Sequence, residues 1–230
     1  MNFDPVEIFR NILIFMPAFL FALVVHEYAH AWMATKFGDN TSEWSGRLTM
    51  NPTAHIDPLG TLIFPIASIA MGSHIFFGWA KPVPINPSLF SSYRKGLFWV
   101  AFAGPLSNII TGFLSAFLLV GFLAYVPRDF AFYAGAQGIL ESFLMLNFSL
   151  AIFNLLPVPP LDGSNIVLSF LSYNASQKFM AIQQYANILL IFMLFTGALS
   201  FIRIPIILLV NLSLNLATSV FGFALPGYSG

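Results

Sequence analysis

The sequence feature that most constrains this chain is a His-Glu-x-x-His motif, His26–His30, at the end of a long apolar segment. Residues four apart lie on one face of an α-helix, so His26 and His30 can direct two imidazoles at a single point, with Glu27 beside them. Two neutral nitrogen ligands and a nearby carboxylate are what a zinc site that activates water requires. The motif therefore predicts a metal-binding helix.

The surroundings of the motif strengthen this prediction. His-Glu-x-x-His also arises by chance, and a histidine in an apolar helix is often a hydrogen-bonded packing residue. However, residues 11–25 carry no charge, and three ionisable groups then follow within five residues. Such groups are costly inside a membrane and usually have a function there. We therefore favour metal binding over a structural role for the two histidines.

Composition indicates an integral membrane protein. Of the 230 residues, 58% are hydrophobic and 8% are charged, whereas a soluble domain has about 25% charged residues. The net charge is zero, so no nucleic-acid partner is expected. Cysteine is absent, which excludes thiolate zinc sites and leaves histidine, aspartate and glutamate as the metal ligands.

Six apolar segments are candidates for membrane spans, because a span requires about 20 predominantly apolar residues. They cover approximately residues 11–36, 59–77, 96–127, 134–156, 179–201 and 204–223. No repeat and no soluble linker separates them. We predict an all-α membrane protein with about six transmembrane helices in one domain, residues 1–230. Its motif-bearing core covers about 10–172, and its C-terminal helices cover about 179–223.

Two intervening stretches are predicted not to be helical and to lie near the active site. Residues 44–50 alternate loosely between apolar and polar, as a short strand would, and are the expected edge for an extended substrate. Residues 78–87 contain three prolines, which disallow a helix and favour extended backbone. The segment 59–77 is the least typical span and is also compatible with a re-entrant segment.

The third metal ligand must come from elsewhere, because a catalytic zinc site has three protein ligands and one open position. The best candidate is Asp162, which follows a proline-rich helix end and precedes Gly163. The alternative is that Asp162 caps the helix that begins beside it.

Together these motifs resemble the site-2 protease family of intramembrane zinc metalloproteases. The resemblance rests on His26-Glu27-x-x-His30 and on Asn154-x-x-Pro157-x-x-x-x-Asp162-Gly163. Further segments are similar to a compact prokaryotic branch of the family: Gly46–Pro52, His55–Thr61, Trp79–Pro84 and Gly104-Pro105-x-x-Asn108. The similarity covers about residues 10–172 and leaves no room for the PDZ insertion of other members.

The resemblance implies a role for each matching residue. His26, His30 and Asp162 would bind one Zn²⁺ ion per chain, and Glu27 would be the general acid and base. Asn154 would hold the substrate backbone or the oxyanion near the reacting carbonyl.

Three further residues are candidates for accessory roles. His55 and Asp57 either approach the metal or gate water, although His-x-Asp-Pro also forms a self-bonded turn. Asn108 lies either near the same cavity or at a helix-packing position.

The predicted function is intramembrane proteolysis of transmembrane segments by a zinc endopeptidase. The expected partners are a transmembrane-helix substrate and the lipid bilayer, and the expected location is a prokaryotic cytoplasmic membrane. The alternatives are a membrane transporter and a non-catalytic scaffold with a structural metal site. A transporter would have repeats and ionisable groups along several helices, whereas here the ionisable groups cluster at one site.

Overall fold

The structure is a computed structural model that describes residues 4–72 and 78–223. Over these residues the chain forms eight α-helices: α1 (Pro5–Lys36), α2 (Thr41–Trp44), α3 (Phe64–Ala70), α4 (Tyr93–Tyr125), α5 (Tyr133–Asn154), α6 (Asp162–Phe170), α7 (Tyr173–Phe195) and α8 (Arg203–Phe221). A π-helical turn, Pro58–Ile63, leads into α3. Short 3₁₀ turns occur at Pro52–Ala54, Pro87–Leu89 and Ala198–Ile202.

Four helical segments are long and apolar enough to cross a membrane. They are α1, α4, α5 and the segment Ala198–Phe221, which contains α8, and their mean hydropathies are 2.2, 2.0, 1.4 and 1.9. A helix rises about 1.5 Å per residue and the hydrocarbon core is about 30 Å thick, so each segment reaches across it. The predicted all-helical fold is therefore confirmed, with four candidate membrane spans.

The predicted count of six spans is not confirmed. In the described part of the apolar segment 59–77, the helix covers Pro58–Ala70, which at 13 residues is about 20 Å long and too short to span. This helix ends at Ala70, two residues before Gly72, which has a φ of +62°, and residues 73–77 lie outside the described residues. The segment 179–201 lies mainly in the 23-residue helix α7, and the four candidate spans found among the described residues do not include it.

The predicted strand at 44–50 is wrong. Trp44 ends the single turn of α2, and Gly46 follows with a φ of +66°, which reverses the chain in the middle of the expected strand. The N–H of Arg47 then donates to the carbonyl of Ser42. No β-strand occurs in residues 4–72 or 78–223. By contrast, residues 78–86 are non-helical, as the prolines predict.

Helix α4 is the centre of the fold and positions the functional side chains. It packs against α1, α5, α6 and α8, and it remains helical through Pro105. The C-terminal half of α4 packs with α5 and α8 to form an apolar core around the fully buried Phe148. Helix α6 begins directly beside α4, which brings the Asp162 region to the motif on α1.

Candidate metal centre

The two motif histidines meet at one point, as their spacing predicts. Both lie on α1 and are buried, with relative exposures of 5% for His26 and 6% for His30. Their Nε2 atoms are 3.1 Å apart. One turn of helix therefore presents two imidazole nitrogens to the same small volume.

Asp162 joins this pair from a distant part of the sequence. Its Oδ2 atom lies 3.1 Å from Nε2 of His26 and 3.2 Å from Nε2 of His30. Asp162 is the first residue of α6, and the helix has no side-chain cap at its N-terminus, so the capping alternative is not observed. Gly163 allows the start of α6 to lie close to the backbone that follows α5, because a Cβ there would collide with the carbonyl oxygens of Leu155 and Leu156.

The hydrogen bonds behind the rings fix which nitrogens face the centre. Nδ1 of His26 contacts Oδ1 of Asn108 at 2.6 Å, and Nδ1 of His30 contacts the carbonyl oxygen of Val100 at 2.7 Å. Amide and carbonyl oxygens can only accept, so each neutral ring carries its hydrogen on Nδ1. The Nε2 lone pairs therefore point inward.

This arrangement fits a cation. Asp162 Oδ2 is buried and receives no hydrogen bond from the described residues. Three acceptor atoms about 3.1–3.2 Å apart with no hydrogen among them repel one another unless a positive charge lies between them. Ligands of tetrahedral zinc at about 2.0–2.1 Å are about 3.3 Å apart, close to the observed spacing. The outward hydrogen bonds on Nδ1 are those that orient histidine ligands of metals.

The charge state of Asp162 is also suitable for a metal ligand. Burial alone would raise the pKa of its carboxyl group, but positive charge on the rings of His30 and His26 holds that pKa well below its usual range, and a bound cation would supply positive charge at the same place when the rings are neutral. The side chain is therefore an ionised carboxylate, the form that binds a cation.

A cavity of about 330 Å³ opens beside the three acceptors. Glu27 borders it, and Oε2 of Glu27 accepts a hydrogen bond from the Val83 N–H at 2.8 Å. Asn154, the last residue of α5, also borders the cavity, and its Nδ2 donates to the carbonyl of Leu150 at 3.0 Å. The structure thus places Glu27 and Asn154 at the border of the cavity beside the three acceptors.

The accessory candidates divide. Asn108 is fully buried and contacts His26 directly. Asp57 caps the π-helical turn, accepting from the N–H groups of Leu59 and Gly60. Neither His55 nor Asp57 is among the described residues that line the cavity. Asp57 therefore forms the self-bonded turn that the sequence offers as the alternative.

Sequence reasoning missed two residues of the centre. Gly104 is part of the Gly104-Pro105-x-x-Asn108 motif, which by itself predicts no role for the glycine. A Cβ at this position would collide with the His30 ring and lie 2.7 Å from Cε1 of His26. Asn147 was not noticed, although it is fully buried and hydrogen-bonded to Asn108. The available signal was an isolated amide in an otherwise apolar span.

Replacing Gly104 by alanine is expected to weaken zinc binding about 10–100-fold, the range found when the support of metal ligands is disturbed. The added methyl carbon would collide with Nε2 of His30, so the imidazole ring must move away from its position as a metal ligand. Zinc affinity, measured by chelator competition on the purified protein, checks this. The control is Gly135→Ala, where a Cβ would meet nothing within 4 Å. Equal affinities for the two variants would contradict the close approach.

Comparison with known proteins identifies relatives along most of the chain. The profile of a family described as Peptidase family M50 matches residues 123–196. A Bacillus subtilis protein named "Putative zinc metalloprotease YwhC" is 37% identical over 197 residues, 84% of this chain and 86% of the relative. A Mycolicibacterium smegmatis protein named "Putative zinc metalloprotease Rip2" is 28% identical over 197 residues, 85% of this chain and 72% of the relative. No solved structure matches.

The profile match includes Asp162, and the full-length relatives extend the similarity over most of the rest. The described residues contain no strand from which a PDZ domain could be built, in agreement with the compact branch inferred from the motifs. The apolar helices, the cation-binding geometry and the relatives lead to the same conclusion: the chain belongs to peptidase family M50, the site-2 protease family of zinc metalloproteases.

Proposed function

We propose that this protein is an intramembrane zinc endopeptidase that cleaves transmembrane segments of other membrane proteins. The observation that supports this most directly is the convergence of His26, His30 and Asp162 beside an open cavity bordered by Glu27. A purely structural metal site is closed by a fourth protein ligand, whereas a catalytic site has three ligands and access for water. The cavity therefore favours catalysis over a scaffold role.

The position of the centre along α1 supports cleavage within the membrane. His26 and His30 lie ten and six residues before Lys36, the end of this 32-residue candidate span. At about 1.5 Å per residue, they are about 15 and 9 Å inside the helix end. A peptide bond that reaches them has entered the thickness of the membrane, which we infer to be a prokaryotic cytoplasmic membrane.

The metal-ligand residues and Glu27 have distinct tasks. When bound, zinc polarises a carbonyl group and lowers the pKa of water to about 7. His26, His30 and Asp162 would hold the ion. Glu27 would take the proton from water on its carboxylate and return it to the leaving amine, as a general base and then a general acid. The Val83 N–H orients this carboxylate through Oε2.

Asn154 is suited to stabilising the carbonyl oxygen of the substrate. One hydrogen of its Nδ2 is used by the Leu150 carbonyl, and an amide group has a second hydrogen to donate. Because Asn154 borders the cavity, that hydrogen can serve the developing oxyanion, a contribution of about 2.7–4 kcal/mol where single donors have been removed.

The substrate must unwind before it reacts, because a helix hides its carbonyl groups in hydrogen bonds. The predicted edge at 44–50 is not a strand, so the pairing surface must lie elsewhere. Residues 78–86 are non-helical, and Val83 and Ile85 border the cavity. Within the described residues, the Val83 carbonyl and the Ile85 N–H have no backbone partner. We propose that an unwound substrate pairs with these two groups.

Val83→Pro is expected to lower kcat about tenfold or more without loss of zinc. Prolines at 82 and 84 lack N–H groups, so Val83 supplies the single backbone donor of this Pro-Val-Pro stretch, and that donor holds Glu27. Hydrogen bonds to charged groups contribute about 1.5–3 kcal/mol. Cleavage rate and zinc content are measured together. Val83→Leu, which keeps the N–H, is the control; a similar loss in both variants would exclude a role for this hydrogen bond.

The decisive experiment uses the zinc-loaded protein in liposomes with a panel of single-span membrane proteins. The expected result is a cut within the membrane-spanning residues, mapped by mass spectrometry, that a metal chelator abolishes. Cleavage confined to soluble loops would contradict intramembrane proteolysis. Zinc flux across the liposome membrane without any cleavage would instead support the transporter alternative.

A further inference from the structure

A buried pair of asparagines connects the metal centre to a third helix. Asn108 on α4 and Asn147 on α5 both have 0% relative exposure. Asn108 Nδ2 donates to the Ala22 carbonyl on α1 at 3.0 Å and to Oδ1 of Asn147 at 2.9 Å. Asn147 Nδ2 donates in turn to the carbonyl of Phe143 at 2.8 Å. Neither amide reaches the cavity, so these groups do not contact substrate.

The direction of this hydrogen-bond chain is determined. An amide group can turn over and exchange its oxygen and nitrogen, unless its partners distinguish them. The Phe143 carbonyl accepts, so Asn147 directs Nδ2 toward it and Oδ1 toward Asn108. Asn108 then faces two acceptors with Nδ2, which leaves its Oδ1 for His26.

The orientation of Asn108 decides how His26 can bind a metal. While Oδ1 faces the ring, His26 carries its hydrogen on Nδ1 and presents a lone pair on Nε2. If the amide turned over, Nδ2 would donate to Nδ1, and a neutral ring would carry its hydrogen on Nε2. That hydrogen would point at Asp162 and at the second histidine, and His26 would cease to be a ligand.

We propose that Asn147 is a positioning residue of the metal centre. Its Oδ1, together with the Ala22 carbonyl, locks the Asn108 amide and thereby keeps His26 in the form that binds metal. The identity of the ion rests on the proposed function, but the effect on metal affinity does not require any proteolysis. Outer partners of metal-ligating histidines are generally worth 10–100-fold in affinity.

The test measures zinc affinity by chelator competition on the purified, folded protein. Asn147→Leu removes the amide at similar volume and is expected to weaken binding about 10–100-fold. The Co²⁺-substituted variant is expected to show an altered visible absorption spectrum, since one imidazole no longer binds in the original way. The control on the same helix is Ser142→Ala, because the Ser142 hydroxyl bonds locally to the Gly138 carbonyl. Its affinity is expected to be unchanged.

A second variant separates orientation from packing. An ionised aspartate at position 108 has two acceptor oxygens and no donor, so it can present only an oxygen to His26. Asn108→Asp combined with Asn147→Leu is therefore expected to recover at least tenfold of the lost affinity. Failure to recover, or wild-type affinity in Asn147→Leu alone, would overturn the proposal. Recovery of zinc affinity in this variant, with no intramembrane cleavage by the wild-type protein, would refute the proposed function and leave the role of Asn147 intact.

Discussion

Replacing Glu27 by glutamine is expected to abolish turnover while leaving zinc binding within about twofold of the wild type. Glu27 is not one of the three acceptors that converge at the centre, so no metal ligand is lost. The glutamine carboxamide keeps the size of the side chain and can accept the Val83 N–H, but it cannot take a proton. General acid–base groups typically contribute 10²–10⁴-fold to the rate, which sets the expected loss of kcat.

The measurement is zinc content together with the rate of cleavage of one membrane-helix substrate. Glu7→Gln is the matched control, because Glu7 lies exposed in the first turn of the same helix, far from the motif. Appreciable proteolysis by Glu27→Gln would remove Glu27 from the mechanism. Loss of zinc in that variant would instead indicate that the carboxylate takes part in holding the ion.

Helical periodicity was sufficient to predict two of the three converging side chains, those of His26 and His30. The spacing of His26 and His30 defines their common face on any helix, and Glu27 follows from its neighbouring position. Asp162 was found through turn chemistry and the resemblance of its Asp-Gly motif, because spacing cannot relate residues so far apart in the chain. Its distance to the rings depends on how α6 packs against α4, which is a tertiary property.

The residues missed by sequence reasoning all act through packing partners. Gly104 matters because α4 lies so close to α1 that only a residue without a Cβ leaves room for the His30 imidazole. Asn147 matters because its amide faces Asn108 on another helix. Neither contact produces a periodic pattern in the sequence. Predicting either one requires knowing how the two packed helices are rotated relative to each other.

The errors in the fold have local physical causes. The alternation in residues 44–50 suggested a strand, but Gly46 adopts a positive φ and turns the chain. The segment 59–77 is apolar enough for a span, yet Asp57 caps a π-helical turn at its start and the helix ends at Ala70, just before Gly72 with its positive φ. Hydropathy alone does not report such starts and ends. The four candidate spans each coincide with one of the predicted apolar segments.

Asp162→Ala is expected to lose zinc at micromolar concentrations and, with it, all proteolysis. The variant leaves two imidazoles, Nε2 to Nε2 3.1 Å apart, without the anionic ligand that completes the set. A four-ligand zinc site binds with about 10–16 kcal/mol, so each ligand contributes roughly 3 kcal/mol, or at least about 100-fold in affinity. Metal content by mass spectrometry after dialysis against micromolar zinc measures this loss.

Two other aspartates make this prediction specific. Asp129→Ala changes an exposed loop residue and is expected to retain one zinc ion per chain. Asp57→Ala removes the cap of the π-helical turn, which costs about 1 kcal/mol of stability, but it is also expected to retain zinc because Asp57 is outside the converging group. If Asp57→Ala lost the ion and Asp162→Ala kept it, the third ligand would lie in the loop before α3. The convergence of Asp162 Oδ2 on both rings would then have no role in holding the metal.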